Sequence, residues 1–344
     1  MRGRTMTTLR WVFSGPRGVR SGWRWMVFWS GGTIATVLMG ALTFGLISAV
    51  FVSESELFLQ AWPVLYLVLP LWSVACSALI DRTGARTAGL GGPPVRSLLE
   101  LGIGFGIGGL LNAGCLALIS TLGALGLVDG GVSIQVSTLG AQELGAWFGW
   151  AALFAVAATW EEVVFRGYGM LWAARALTRS AHWASAAARW PVSFRTATVV
   201  GYGPVVVVSC LWFGIAHLGN PANSGLIPLA NTMIAGLWLL IAIYRTRALW
   251  AAIGMHWGWN ATMALVLGVP VSGMGSEDSG VTIPGLLTTS LSGPDWFTGG
   301  AYGLEGSIFG TVVLCAGCVT SWAWPVHTER PPLFDDPVPP HQET

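Results

Sequence analysis

Long apolar stretches alternate with short polar connections along most of the chain. A helix that crosses the hydrocarbon core of a bilayer needs about 20 apolar residues, and windows of that length recur throughout the sequence. Eight transmembrane helices are predicted, at residues 27–52, 60–80, 98–128, 144–174, 198–218, 225–244, 248–268 and 305–325. The pattern is typical of an all-α, polytopic membrane protein, a bundle of about eight transmembrane helices.

The composition supports this interpretation. Of 344 residues, 53% are hydrophobic and only 10% are charged, whereas soluble domains carry about 25% charged residues. With a net charge of +1, the chain has no strongly basic domain of the kind that binds nucleic acid, so no nucleic-acid partner is expected. The expected surroundings are a lipid bilayer, and the tryptophan-rich composition without lysine indicates the cytoplasmic membrane of a bacterium. The oligomeric state is left unknown.

The arginines mark alternate connections between the predicted helices. All 17 basic residues are arginine, and all except Arg166 lie at the two ends of the chain or in every second connection. The positive-inside rule then places both termini in the cytoplasm. Arg166 lies inside the fourth predicted helix and is therefore not a topology signal.

The segments outside the predicted helices have distinct compositions. A basic cytoplasmic N-terminus at residues 1–26 precedes helices one to three, which occupy residues 27–128. Residues 269–304 are rich in Gly, Ser, Thr and Pro and carry no basic residue, which predicts an external loop. After the last helix, at 305–325, the proline-rich residues 326–344 are predicted to be a disordered cytoplasmic tail.

The third predicted helix contains two pairs of glycines at four-residue spacing. Gly102 with Gly106, and Gly104 with Gly108, are small-xxx-small pairs that allow another helix to approach closely. The same glycines formally contain a G-x-G-x-x-G pattern, but no predicted strand precedes it, so a dinucleotide site is excluded.

Three ionisable residues lie close together in the fourth predicted helix. A charge at bilayer depth costs a few kcal/mol, so Glu161, Glu162 and Arg166 require a pairing or functional reason. Glu162 and Arg166 are four residues apart and share one helix face, where they can form an ion pair. Glu161 points about 100 degrees away round the helix and is left to face another group.

Depth counted along ideal helices indicates that polar groups meet near the middle of the membrane. At about 1.5 Å per residue, Glu162 lies roughly 20 Å from Arg175 if the fourth helix is continuous. His217 lies roughly 20 Å beyond Pro204, where the fifth helix is expected to break or begin late. A fifth helix without that break would put His217 near the external surface.

The polar residues have the parts needed to activate water. A carboxylate such as Glu161 beside imidazoles can act as a general base, and His256 with Asn260, four apart in the seventh helix, can bind the water or a developing oxyanion. Glu161, His217 and His256 also match the donor types of a catalytic zinc site. The expected cofactor is therefore none or zinc.

Three motifs in this order, Glu-Glu-x-x-x-Arg, Phe-x-x-x-His and His-x-x-x-Asn, resemble those of the CPBP family of intramembrane proteases, which includes CAAX-processing endopeptidases and bacteriocin-processing, or Abi, proteins. The resemblance covers residues 144–268, the predicted catalytic core. It implies an endopeptidase that hydrolyses a peptide bond of a membrane-embedded or membrane-tethered protein. The implied catalytic residues are Glu161, Glu162, Arg166, His217, His256 and Asn260.

The resemblance also implies a role for each motif. Glu161 would activate water with His217 as its partner, and His256 and Asn260 would stabilise the oxyanion. Members are commonly labelled metalloproteases, and in a zinc enzyme the ligands would be Glu161, His217 and His256. Two other functions stay open: a non-catalytic membrane immunity or assembly factor, and an ion- or proton-coupled transporter.

Overall fold

The computed structural model describes residues 14–15, 18–47, 54–187, 194–223 and 225–327. Over these ranges the chain is mainly helical, with ten α-helices. They are α1 Ser21–Ile47, α2 Glu54–Leu79, α3 Pro94–Ala124, α4 Ala141–Arg166, α5 Tyr168–Ala187, α6 Phe194–Ala216, α7 Leu226–Thr246, α8 Trp250–Ala261, α9 Asp295–Thr298 and α10 Ile308–Ala323. Most of the predicted N-terminus, and the predicted tail from residue 328, lie outside the described residues.

Short elements complete the description of these ranges. The strands are β1 Ser14–Gly15, β2 Gly18–Val19, β3 Gly131–Val136 and β4 Leu287–Ser292. A π-helix, Thr262–Val266, extends α8. The 3-10 turns are His217–Gly219, Glu277–Ser279, Gly300–Tyr302 and Leu304–Gly306.

The chain is an integral, multi-pass membrane protein by the length and composition of its helices. Within the described ranges, six helical segments are long and apolar enough to cross a membrane. They are Gly22–Leu46, Trp62–Leu79, Pro94–Ala124, Ala141–Leu177, Tyr202–Gly219 and Leu226–Thr246. The predicted seventh and eighth spans correspond to α8 and α10, which are shorter, so the count of about eight is not confirmed and stays a prediction.

The fourth predicted helix is interrupted at Gly167. The backbone N–H of Gly167 donates to Val163 O at 3.0 Å, and α5 begins at the next residue. The carbonyl oxygen of Phe165 accepts a hydrogen bond from the buried Ser209 hydroxyl of α6 at 2.7 Å. The depth predicted for Glu162 was counted along one straight helix, and it does not apply across this interruption.

The predicted break at Gly203–Pro204 is wrong, because α6 runs continuously from Phe194 to Ala216 with Pro204 inside it. A membrane helix tolerates proline where neighbouring groups satisfy the backbone that proline leaves unpaired. That an unbroken helix places His217 near the external surface stays a prediction, but the continuous helix still brings His217 Nε2 to 3.7 Å from Glu161 Oε2.

Helices α3 and α8 pack backbone against backbone. A methyl group at Gly104 would overlap the carbonyl oxygen of Ala251, and one at Gly108 would overlap that of Met255. The predicted contact through Gly104 and Gly108 is therefore confirmed. A methyl group at Gly106, on another face of α3, would meet none of the described residues within 4 Å.

Within the part of the chain that the structure describes, the predicted contact through Gly102 and Gly106 is wrong, because a methyl group at Gly102 would also meet nothing there within 4 Å. Helix α8 instead supplies the glycines that complete the contact. Methyl groups at Gly254 and Gly258 would overlap carbonyl oxygens of α3. His256 lies between these two glycines, so this backbone contact sets its position along the helix pair.

At one end of the bundle, helix ends that carry arginines lie close to Asp81. Arg24 of α1 forms an ion pair with Asp81, which follows α2. Tyr168 OH and Trp172 Nε1 of α5 both donate to the Asp81 carboxylate at 3.3 Å. The guanidinium groups of Arg24 and Arg175 lie over the Trp172 ring, 4.4 and 4.7 Å from its centroid.

The ends of α3, α7, α8 and α10 meet at this same end. Leu249 N–H donates to Gly89 O, in the α2–α3 connection, at 2.8 Å. His327, just after α10, contacts Glu100 of α3 at 2.9 Å and donates its backbone N–H to Arg245 O of α7 at 3.0 Å. The arginine-bearing ends thus lie together, as their alternation predicts, and their placement in the cytoplasm stays a prediction.

A two-stranded sheet joins the α3–α4 connection to the segment that follows α8. Strands β3 and β4 are antiparallel, with Gly131 opposite Ser292 and Val136 opposite Leu287. The predicted external loop at residues 269–304 therefore contains a strand and a short helix, α9, neither of which the sequence predicts. The Leu286 N–H donates to Leu265 O at 2.8 Å and fixes β4 against the end of α8.

Candidate active site

Three helices bring the predicted site residues together around one cavity. Glu161, Glu162 and Arg166 occupy the last turns of α4, His217 follows α6 directly, and α8 carries His256 and Asn260. The cavity has a volume of about 370 Å³. Its lining includes Glu161, His217, His256 and Asn260.

Glu162 connects α4 to α8. Arg166 Nη1 donates to Glu162 Oε1 at 2.6 Å, and both side chains are fully buried. His256 Nδ1 donates to the same oxygen at 2.9 Å. The Arg166 guanidinium also lies 4.2 Å from the centroid of the Phe213 ring. The predicted ion pair is confirmed, and it also holds a histidine from another helix.

Glu161 faces the cavity instead of the ion pair. Its Oε2 lies 3.7 Å from His217 Nε2 and 3.8 Å from His256 Nε2. Both distances exceed that of a direct hydrogen bond. Glu161 Oε2 is buried and has no hydrogen-bond partner among the residues that the structure describes.

The two imidazoles turn the same nitrogen toward Glu161. His217 Nδ1 lies 2.7 Å from Phe213 O, and because a carbonyl oxygen only accepts, Nδ1 carries the hydrogen. His256 Nδ1 is protonated for the same reason, since it faces a Glu162 carboxylate oxygen. In the neutral rings each Nε2 is therefore an acceptor. Three acceptors converge, and a group that donates hydrogens fits between them.

His217 is held in place by groups on both sides of it. Its ring packs edge-on against Phe213, with centroids 4.7 Å apart, and its carbonyl oxygen accepts from Asn223 Nδ2 at 2.6 Å. Phe213 is buried and also packs against Phe165 of α4, with centroids 5.0 Å apart. Phe213, the phenylalanine of the Phe-x-x-x-His motif, thus joins α6 to α4.

The structure adds an acidic residue to the cavity that sequence reasoning missed. Glu305, in the turn before α10, lines the cavity. Its Oε1 accepts from Trp259 Nε1 at 2.8 Å, and its Oε2 accepts from Ser272 Oγ at 2.5 Å. Burial, with the Glu305 carboxylate as a second cause, raises the pKa of nearby Tyr302 to about 12, so this phenol is neutral at ordinary pH.

A signal for Glu305 was present in the sequence. It is an acidic residue at the edge of a predicted transmembrane helix, where charge is expensive. Asn231, which also lines the cavity, is a polar residue within the sixth predicted helix and gives a similar signal. Neither belongs to the three motifs, and spacing along the chain alone does not connect them to Glu161.

The predicted zinc ligands lie around one cavity. Glu161, His217 and His256 supply a chemically suitable set of donors. Within the described ranges, however, no group of three or more His, Cys, Asp or Glu residues is placed to hold a metal ion. The predicted cofactor, none or zinc, stays a prediction.

Residues 143–262 match a family model described as type II CAAX prenyl endopeptidase Rce1-like. The predicted resemblance to the CPBP family is confirmed over these residues. The matched segment runs from the first turn of α4 to the end of α8 and contains every predicted catalytic residue. It supports a CAAX-type intramembrane protease. Searches of curated proteins and of solved structures found no match to the chain.

Proposed function

We propose that this chain is an intramembrane endopeptidase that hydrolyses a peptide bond of a membrane-embedded or membrane-tethered substrate with water activated by Glu161. The observation that carries the proposal is the approach of two imidazole Nε2 atoms, at 3.7 and 3.8 Å, to one buried carboxylate oxygen. All three groups line the same cavity. Water fits between Glu161 Oε2 and His217 Nε2, because both atoms accept and water offers two hydrogens.

In the first step, Glu161 acts as the general base. Water donates one hydrogen toward Glu161 Oε2 and the other toward His217 Nε2, which orients its oxygen lone pair toward the substrate. As this oxygen forms a bond to the carbonyl carbon, Glu161 takes the proton. A tetrahedral intermediate with one negatively charged oxygen results.

His256 and Asn260 stabilise that oxygen in the proposal. The Asn260 side chain supplies an amide donor. His256 uses its Nδ1 hydrogen for Glu162, so Nε2 can donate only when the ring is an imidazolium. A positive charge there balances the cluster, because Glu161 and Glu162 together carry two negative charges and Arg166 supplies one positive charge. Donors placed in advance around a developing oxyanion account for much of the rate enhancement in acyl transfer.

In the second step the carbon–nitrogen bond breaks. The intermediate collapses to a carboxylic acid, and the leaving nitrogen takes the proton that Glu161 accepted from water. Glu161 thereby returns to the carboxylate form. One water is consumed for each peptide bond, and no other reactant is needed.

The test is a Glu161→Gln variant of the full chain, reconstituted in liposomes with a membrane-tethered peptide substrate. We expect cleavage to fall by roughly 10² to 10⁴-fold, because glutamine keeps the shape but cannot accept the proton. Glu143→Gln is the matched control, since this acidic residue lies in the exposed first turn of the same helix. Its cleavage rate should stay close to that of the wild type.

Undiminished cleavage by a folded Glu161→Gln variant would contradict the proposal. Size-exclusion behaviour and the thermal unfolding midpoint establish that each variant is folded. Zinc content and the effect of a chelator on cleavage are measured on the same wild-type sample. Cleavage that survives metal removal supports activation of water by Glu161 alone.

A further inference from the structure

Glu305 lies in the cavity together with the proposed general base. Both carboxylates line the same space of about 370 Å³. Trp259, whose indole donates to Glu305, lies between His256 and Asn260 along α8. The proposed oxyanion groups and the Glu305 carboxylate are therefore held by one helical turn.

The backbone that carries Glu305 is fixed against α7. Asn231 Nδ2 donates to the carbonyl oxygens of Glu305 and Ser307, at 2.7 and 2.8 Å. Thr311 Oγ1 donates to Asn231 Oδ1 at 2.6 Å, which orients the amide. Gly303 precedes this segment with φ +97°, and a methyl group there would overlap the Pro270 carbonyl oxygen. The carboxylate is thus placed by a rigid turn.

Glu305 differs from Glu162 in the charge of its donors. The donors that contact Glu305 are a tryptophan indole and a serine hydroxyl, both neutral. Arg166 is buried against Glu162, and the described cavity lining contains no arginine. The chain contains no lysine. A partly buried carboxylate gains most from a charged donor, and neither group that hydrogen-bonds to the Glu305 carboxylate among the described residues is charged, so a bound molecule can supply that donor.

We propose that Glu305 is a specificity-determining residue that binds a cationic group of the substrate, the guanidinium or ammonium of a basic residue or of a free amino terminus. The inference rests on the proposed function, in which the bound peptide is a substrate. It adds to that function the class of peptide that is bound. A peptide with a positive charge near the bond to be cleaved would place that charge against Glu305.

Binding tests the inference without requiring cleavage. The probes are fluorescent alanine–leucine peptides in detergent micelles that differ only in one residue, arginine or its neutral analogue citrulline, scanned along the peptide. The protein is the full chain carrying Glu161→Gln, so that no probe is consumed. At one or more positions, we expect the arginine peptide to bind at least about tenfold more tightly than the citrulline peptide, the scale of one charge-assisted hydrogen bond.

Adding Glu305→Gln should remove this preference, whereas Glu305→Asp, which keeps the charge, should retain part of it. Glu277→Gln is the matched control, because it removes the same charge from the same connection at an exposed position. It should leave the preference unchanged. A preference that persists in a folded Glu305→Gln variant overturns the inference. Equal binding of arginine and citrulline peptides, with the free and acetylated amino termini also equal, overturns it without any Glu305 variant.

Acetylation of the peptide amino terminus separates the two sources of charge. If acetylation lowers the affinity and the effect depends on Glu305, the bound cation is the terminal amino group. If only the replacement of arginine by citrulline lowers the affinity, the bound cation is the side chain. Failure of the proposed function is seen separately, as cleavage that does not depend on Glu161. In that case a Glu305-dependent preference for cationic peptides would still establish Glu305 as a binding residue of this cavity.

Discussion

At the residue scale, two adjacent glutamates occupy different chemical environments. Neighbouring positions on a helix point about 100 degrees apart, so Glu162 faces Arg166 and His256, whereas Glu161 faces the cavity. Glu162 is fully buried and charge-paired. Glu161 Oε2 lies 3.7 and 3.8 Å from the two imidazole Nε2 atoms, beyond a direct hydrogen bond, which suits a group that exchanges a proton with water. Glu162 therefore has a structural role, and Glu161 has a chemical one.

This separation predicts that Glu162→Gln lowers stability more than Glu161→Gln does. Glu162→Gln leaves the buried Arg166 charge without its partner, and breaking a buried ion pair in this way costs about 3–5 kcal/mol. Glu161→Gln removes no direct hydrogen bond to Oε2 within the described residues. Thermal unfolding in detergent, with each variant measured beside the wild type, gives the comparison.

The double variant Glu162→Gln with Arg166→Gln is the control for the ion pair. Removing both charges should recover part of the stability lost in Glu162→Gln, because no unpaired charge then stays buried. If the double variant is less stable by the sum of the two single losses, the pair contributes through packing alone. Equal stability of the Glu161 and Glu162 variants would also contradict the assignment.

At the element scale, the backbone contact between α3 and α8 positions the second half of the site. Gly108 on α3 meets the Met255 carbonyl, one residue before His256. Gly106, two residues earlier on α3, faces no neighbour among the described residues. The two glycines therefore provide a matched pair of positions that differ in whether a side chain has room.

Alanine substitution at these two positions should change stability in opposite directions. Gly108→Ala forces the helices apart and is expected to destabilise the protein by about 1–3 kcal/mol. Gly106→Ala should be neutral or stabilising by up to about 1 kcal/mol, because alanine favours a helix over glycine. Cleavage should fall in Gly108→Ala, since His256 moves relative to Glu161. Equal unfolding temperatures for the two variants would contradict the observed contact.

Local spacing predicted some features of these elements and failed for others. The four-residue spacing of Glu162 and Arg166 gave their ion pair correctly, because an i,i+4 contact depends on one helix only. The spacing of Gly102 and Gly106 is identical to that of Gly104 and Gly108, yet only the second pair meets α8. Which face of α3 packs is decided by tertiary structure, and the pattern does not encode it.

The same limit explains the errors about helix ends. Pro204 removes one backbone donor, which favours a break in isolation, but the bundle keeps α6 continuous. Gly167 interrupts a predicted helix without any proline. The predicted depths assumed a continuous fourth helix and a break at Pro204, and the structure shows the reverse. Glu305 was missed because it reaches the cavity from a turn remote in sequence from the three motifs.

At the scale of the whole molecule, the site is closed by segments from both halves of the chain. Glu161 comes from α4, and Glu305 comes from the turn between α9 and α10. The β3–β4 sheet connects the segment just before α4 to the segment that leads to this turn, with Ser133 opposite Ser290. The relative position of the two carboxylates therefore depends on a pairing of distant strands.

The strand register predicts that Ser133→Cys with Ser290→Cys forms a disulfide in the folded protein. Residues directly opposite in an antiparallel pair have Cβ atoms about 4.5–5.5 Å apart, whereas diagonal neighbours lie about 7–8 Å apart. A disulfide requires about 3.5–4.5 Å, which a small adjustment of the opposite pair can reach. Ser133→Cys with Thr288→Cys, shifted by two residues on the same face, should cross-link much more slowly.

Thiol counting after mild oxidation measures the cross-link, with the parent protein as the background for its own free cysteines. Because the two strands are already paired in the described structure, the cross-link does not require them to move. We therefore expect the oxidised protein to retain cleavage. Equal cross-linking of both cysteine pairs would contradict the register. Loss of cleavage that returns on reduction would mean that the strands must separate for the substrate to enter, so that the sheet acts as a gate and not as a fixed wall.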